Sequence, residues 1–282
     1  MEVFRLTAPE FAERAFPFLL EHEAEHNVLL GIGGRLVENP LTFGSEPYLA
    51  VAEDEGDVVA VAMRTPPHQL LLSETEDNRS YLALAVDAHD HFGEIPGVLG
   101  PADDVPVFVD AWRRLAGVTA QVRMAQRTHR ADTVRPPLNV SGAPRPAVLE
   151  DRALIAEWYE SFVAEVLPSA GPHEDGGDFF DRRLADASGG LVIWDDDGPV
   201  SFLGFGSPTG SGIRIGPVYT PPTLRGRGYA SALTAHVTAT QLASGYRFCF
   251  LVTDIANPTS NSIYRRIGYQ PVGDIDQWVF GS

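Results

Sequence analysis

Val218-Tyr219-Thr220-Pro221-Pro222-Thr223-Leu224-Arg225-Gly226-Arg227-Gly228-Tyr229-Ala230 carries an apolar strand pattern into a glycine-rich turn and on into a long helical pattern. Gly226 and Gly228 have no Cβ, so the backbone there can take dihedrals closed to other residues and gather several N–H groups around one anion. The helix that follows adds the positive end of its dipole at the same point. The stretch reads as a pyrophosphate cradle. Two glycines before a helix also make a plain tight connection, and the stretch by itself does not choose between the two.

A second stretch decides. Asn257-Pro258-Thr259-Ser260-Asn261-Ser262-Ile263-Tyr264-Arg265-Arg266-Ile267-Gly268-Tyr269 follows one further strand pattern downstream. Together, Arg225-x-x-Gly228-x-Ala230 and this stretch resemble, in order and spacing, the two signatures of the GNAT acetyltransferases. The resemblance is specific over about 145–282. It implies a mixed α/β fold, an acetyl-CoA co-substrate and direct transfer of the acetyl group to a primary amine of a small molecule. It also implies that Val218, Tyr219 and Thr220 lend backbone groups to the pantetheine arm and thioester. The backbone of Arg225, Gly226, Arg227, Gly228, Tyr229 and Ala230 would hold the pyrophosphate, with the Arg225 and Arg227 side chains reaching CoA phosphates. Asn257 and Ser260 would touch the CoA arm, although Asn257 also reads as an N-cap before Pro258. Tyr264 aligns with the family tyrosine that protonates the departing thiolate, against the plain alternative of a tyrosine packed on its helix.

The chain has 282 residues, 44% of them hydrophobic, enough for two ordinary domains with cores. No apolar run approaches a membrane span and the amino terminus is charged, so a cytoplasmic location and no membrane partner are expected. The net charge of −17 opposes nucleic acids, mildly favours a cationic acceptor, and requires that anionic CoA be captured by a local site. Every one of the 21 basic residues is arginine. The single cysteine, Cys249, lies in an apolar strand pattern and rules out an intrachain disulfide. A homodimer is compatible with all of this.

Arg135 to Pro146 holds four prolines and a glycine, which excludes helix and central strand and reads as a linker. On either side an apolar strand, an acidic turn ending in glycine and a second strand recur at Gly56 and Gly198. The expected division is thus a degenerate GNAT-like domain at 1–134, a linker at 135–146 and a catalytic domain at 147–282, each domain a mixed, mostly antiparallel sheet flanked by helices. In the second half, helices are expected from Asp151 to Leu167, Arg227 to Ser244 and Pro258 to Ile267, and terminal strands around 270–272 and 277–280. In the first, a helix is expected from Pro9 to about His26. The counterpart of the glycine-rich loop is Ser73-Glu74-Thr75-Glu76-Asp77-Asn78, whose carboxylates would repel a pyrophosphate.

Glu165, Asp181 and Asp151 are general-base candidates only by their place in segments that border the acceptor groove in the family. Two other readings stay open. His22-Glu23-Ala24-Glu25-His26 fits His-Glu-x-x-His, the pattern of a zinc hydrolase, with Glu46 available as third ligand. Glu25 at a position usually uncharged argues against it, and no metal is expected there or at His89-Asp90-His91. The second alternative is a CoA-binding sensor that keeps the fold without turnover.

Overall fold

The computed structural model describes residues 1–166 and 173–281, so the expected helix end at Leu167 lies outside the described residues. Contacts divide the chain into two compact units. One comprises Met1–Thr128, Val252–Asn257 and the chain from Val272 onward; the other comprises His129–Leu251 and Pro258–Pro271.

The first unit contains β1 (Glu2–Arg5), α1 (Ala8–Glu21), α2 (Asn27–Glu38), β2 (Tyr48–Asp54), β3 (Asp57–Arg64), β4 (Leu70–Leu72), α3 (Asn78–Phe92), β5 (Gly97–Pro101), α4 (Val105–Ala116) and most of β6 (Thr119–Ala131). α1 begins at a capping box in which Glu10 accepts from both the Thr7 N–H (2.8 Å) and hydroxyl (2.7 Å). Phe11, Ala15 and Leu19 recur at helical spacing and are buried. The helix expected to reach His26 stops at Glu21, and α2 starts anew at Asn27. β4 and β5 pair in parallel, whereas β1–β2, β2–β3 and β3–β4 are antiparallel. Strand alternation sorts β2 cleanly: Ala50 and Ala52 face the core under α3 and α4, Leu49 and Val51 the core under α1 and α2.

The second unit contains β7 (Ala143–Pro146), α5 (Arg152–Val166), α6 (Gly176–Ala185), β8 (Gly190–Asp195), β9 (Pro199–Gly206), β10 (Gly212–Tyr219), α7 (Tyr229–Ala243), the start of β11 (Phe248–Asp254) and α8 (Pro258–Ile267). Its strands run in the order β11-β10-β9-β8-β7. β10 is antiparallel to β9, with a bulge between Ile215 and Val218, and parallel to β11 at Gly212–Arg214. Ile213, Ile215, Leu233 and Val237 build the core on the α7 face, and Trp158, Phe179, Phe202 and Tyr219 the core on the α5/α6 face.

Two expectations need correcting. Ala143–Pro146, the end of the expected linker, is a strand paired with β8; it stands at the sheet edge, where Pro144 and Pro146 forfeit no central ladder bond. The two expected terminal strands are one continuous strand, β12 (Gln270–Gly281). From Val272 this strand belongs to the first unit, where it pairs antiparallel with β5. Phe280 stacks on Trp112 at 5.8 Å and Trp278 joins the same core, so apolar burial draws the carboxy-terminal strand there. Among the described residues no helix is long and apolar enough to cross a membrane.

Candidate active site

The site grows out of the end of β10. Tyr219 and Thr220 are buried, and a short turn at Pro222–Leu224 delivers the chain to an exposed loop. Gly226 (φ +80°) and Gly228 (φ +87°) occupy the left-handed region, which a side chain would strain. The first bond of α7 is Ala232 N–H to Gly228 O at 2.9 Å. Among the described residues, the N–H groups of Gly226, Arg227 and Gly228 donate to no protein acceptor. A cluster of free donors thus stands at the positive end of a fifteen-residue helix, an arrangement that suits a phosphate.

The arginines of this loop do not project outward alike. Arg225 folds back: its Nε donates to Thr220 O (2.8 Å), its Nη2 to Glu165 Oε2 (2.6 Å), and the Tyr219 hydroxyl donates to Glu165 Oε1 (3.4 Å). The guanidinium therefore ties the strand end, the loop and α5 together. Tyr229 turns its hydroxyl to Asp196 (2.5 Å), which also accepts from Ser141 (2.7 Å). These two bonds hold the Asp196 carboxyl below its ordinary pKa.

Tyr264 sits in α8 with its ring 6.0 Å from that of Tyr269, edge to face. Its hydroxyl has no hydrogen-bond partner among the described residues, and it keeps some contact with solvent. Burial nonetheless pushes its pKa up to about 12, so the phenol stays protonated at neutral pH. Tyr269, fully buried, is bonded to Thr238 at 2.7 Å. Asn257 immediately precedes α8, in the segment counted with the first unit, and Ser260 lies in the first turn of the helix.

The model of the acetyltransferase (GNAT) family matches residues 153–269, a span that takes in the loop, α7 and Tyr264. Residues 153–269 are a GNAT acetyltransferase domain. Solved structures share the fold of the chain as a whole. A GNAT-family acetyltransferase from Colwellia psychrerythraea has a TM-score of 0.61 at 10% identity, with 100% of each chain covered. A GCN5-related N-acetyltransferase from Sphaerobacter thermophilus has 0.62 at 15%, covering 98% of this chain and 94% of its own. A tandem GNAT protein from the clavulanic acid biosynthesis pathway has 0.59 at 13%, covering 99% and 98%. Comparison with the curated proteins finds no match. The co-substrate of the family is an acyl-CoA.

The three carboxylates expected as base candidates, Glu165 and Asp181 within residues 153–269 and Asp151 just before them, are all tied to arginines. Asp151 accepts from both Nη atoms of Arg145 (2.7 and 2.9 Å) and caps the Val148 N–H. Asp181 is held by Arg152 (2.7 and 2.9 Å) and Glu165 by Arg225. The arginine bonds lower the pKa of Asp151 and of Asp181, which makes both weaker proton acceptors.

The His-Glu-x-x-His stretch is not one helical face, because α1 ends before it. His26 is buried: Nδ1–H donates to Leu19 O (3.0 Å), and Nε2 accepts from the Glu74 N–H (3.2 Å). Both ring nitrogens are thereby engaged, and burial lowers the His26 pKa to about 4. His22 pairs with the Glu74 carboxylate, and among the described residues no three His, Cys, Asp or Glu groups are disposed to hold a metal.

That same His26 helps close the counterpart loop of the first unit. Glu74 N–H goes to His26, Asp77 N–H to Thr75 Oγ1 (3.0 Å), Arg79 N–H to Asp77 Oδ1 (2.9 Å) and the Thr75 backbone to Asp104. An imidazole, a hydroxyl and two carboxylates of the protein thus occupy donors that an anion would need. An adjoining cavity of about 830 Å³ is lined by Glu21, Asp57, Glu76 and Asp104, a field that opposes a polyphosphate. The two loops thus share position in their units but not chemistry. The sequence signals the acidic composition; it gives no sign of His26 as the plug or of Glu165 as the partner of Arg225.

Proposed function

We propose that the GNAT domain is an acetyl-CoA-dependent N-acetyltransferase acting on a primary amine of a small molecule. The observation that carries this reading is the set of unengaged N–H donors at Gly226–Gly228, set on the N-terminus of α7. The backbone from Arg225 to Ala230 holds the pyrophosphate, and Val218, Tyr219 and Thr220 line the pantetheine arm and polarise the thioester carbonyl. Asn257 and Ser260 support the arm. The neutral amine attacks the thioester carbonyl, the N–C bond forms as the C–S bond breaks, Tyr264, protonated and without a competing hydrogen bond, gives its proton to the sulfur, and the proton lost from the nitrogen passes through solvent, which also reprotonates the phenolate. Arg225 serves as a brace for the loop rather than as a phosphate ligand, because its donors are already directed at Thr220 and Glu165.

The first unit binds no CoA in this reading, since most of its loop donors are internally engaged and the loop itself is acidic. Calorimetric titration with CoA should give one site per chain, and a panel of amines should release free CoA thiol from acetyl-CoA. Binding without turnover on any amine would favour a CoA sensor. A stoichiometry of two would overturn the asymmetry between units.

A further inference from the structure

In the second unit, Arg145, Arg152, Arg182, Arg183 and Arg225 each pair with a carboxylate, and Arg130 and Arg247 stack on Phe248. Arg214 does neither. It is recessed in β10, only partly open to solvent, and makes no hydrogen bond or ion pair among the described residues. Burial is what acts on its pKa, lowering it, with no neighbouring charge contributing; a guanidinium in such a place still remains charged. Its guanidinium nitrogens keep contact with solvent, so the charge is free to take an anion that reaches it. This occurs in a chain with 38 acidic residues, so carboxylates were available and none is used here.

Its surroundings show what space it faces. Ile213 and Ile215, on either side, pack into the core under α7, so Arg214 stands on the opposite face of the sheet. Its cross-strand neighbours are Gly206 on β9 and Phe250 on β11, and the Phe250 ring leans over Gly212. The glycines of this face are covered by neighbours: the Arg183 guanidinium lies over Gly206, the Phe250 ring over Gly212, and Pro217 with the Phe179 ring beside Gly204. Two positions further along β10, at the bulge, a Cβ placed on Gly216 would meet nothing within 4 Å. The face under α7 is filled and the α5/α6 face carries its own core at Phe179, Phe202 and Tyr219, so the approach to this stretch of β10 is the open position at Gly216. Two strand residues span about 7 Å, close to the reach of an arginine side chain.

We infer that Arg214 anchors an anionic group, a carboxylate or a phosphate, carried by the amine acceptor, so that the substrate class is small amino acids or aminoalkyl phosphates rather than polyamines. The inference rests on the acetyltransferase reading for the identity of the site. Locally it outweighs the overall charge of −17, because an ion pair formed in a recess is screened far less than the long-range field. The planar guanidinium fork matches both anions through two parallel hydrogen bonds.

The test uses the full chain saturated with CoA and matched probes: α-amino acids against their carboxamides, and aminoalkyl phosphates against the corresponding amino alcohols. Calorimetry should show the anionic member of one pair binding wild type about 10- to 100-fold more tightly than its neutral twin. R214Q should erase that preference by weakening the anion alone, R214K should retain part of it, and both should bind CoA as wild type does. Which pair shows the preference separates carboxylate from phosphate. Equal binding within every pair, no binding by any anionic probe, or an equal loss of both members in R214Q overturns the inference. A parallel loss of CoA binding in R214Q with a lowered Tm would assign Arg214 to the frame and also overturn it, with R214K as the charge-conserving control. Selective binding of anionic amines that are never acetylated would leave the anchor standing and bring down the acetyltransferase reading instead.

Discussion

Replacing Tyr264 by Phe removes one hydroxyl from a ring whose packing against Tyr269 stays in place. That hydroxyl makes no hydrogen bond among the described residues, so no bond is lost on substitution, and Tm should stay within about 2 °C of wild type. The chemical consequence is larger. A positioned general acid contributes about 100-fold, which corresponds to about 2.7 kcal/mol of barrier, so kcat should fall by that factor while KM for acetyl-CoA changes by less than about threefold. The pKa of about 12 sets the pH behaviour: an acid acts while protonated, so its contribution is present throughout the neutral and mildly alkaline range and is lost only as pH rises through that value. Steady-state rates with saturating amine, measured from pH 6 to 10 in both proteins, give the ratio directly. A ratio that is constant over this range and near 100 supports the role. Turnover within about tenfold of wild type would show that water delivers the proton, and a rise in KM alone would make Tyr264 a CoA-binding residue.

Three further outcomes are expected. Gly228→Ala should cost about 1 kcal/mol for its positive φ and somewhat more because the new Cβ would lie 3.0 Å from Val140 Cγ2, whereas at Gly226 the space is open; CoA titrations and melting curves should rank Gly228→Ala below Gly226→Ala, with Val140→Ala relieving only the former. Glu165→Ala should weaken CoA binding by about three- to fivefold, a modest factor because both members of the Glu165–Arg225 pair are close to half exposed; tighter binding would mean that Glu165 holds Arg225 back from a phosphate. His26 is depressed to about 4 from 6.5, so its stabilising contribution is present above pH 6.5 and is lost as pH falls toward 4, by about 3 kcal/mol in denaturant titrations, and His26→Gln should flatten that part of the profile.

What the sequence determined by itself is what neighbouring residues impose on one another. Gly226 and Gly228 before an uninterrupted helical pattern mark a turn into a helix, and the spacing to Asn257 and Tyr264 indicates which strand and helix follow, so the loop, α7 and α8 were legible to within a few residues. The acidic Glu74–Asp77 loop likewise announced that the two halves differ. The tertiary structure decided everything that depends on partners far apart in the chain. His22 to His26 reads as continuous helix until Leu19 O and the Glu74 N–H, 48 residues away from His26, claim the imidazole. Glu165 and Arg225 lie 60 positions apart, and no pattern in either segment announces their bond. The run from Gln270 to Gly281 carries an ordinary strand signal, but whether it pairs with its own half or with β5 is settled by the space that Trp278 and Phe280 fill. The role inferred for Arg214 is of the same kind. Strand alternation assigns it a face, and only the packing of Ile213 and Ile215 under α7, with open space at Gly216, makes that face the one proposed for a substrate.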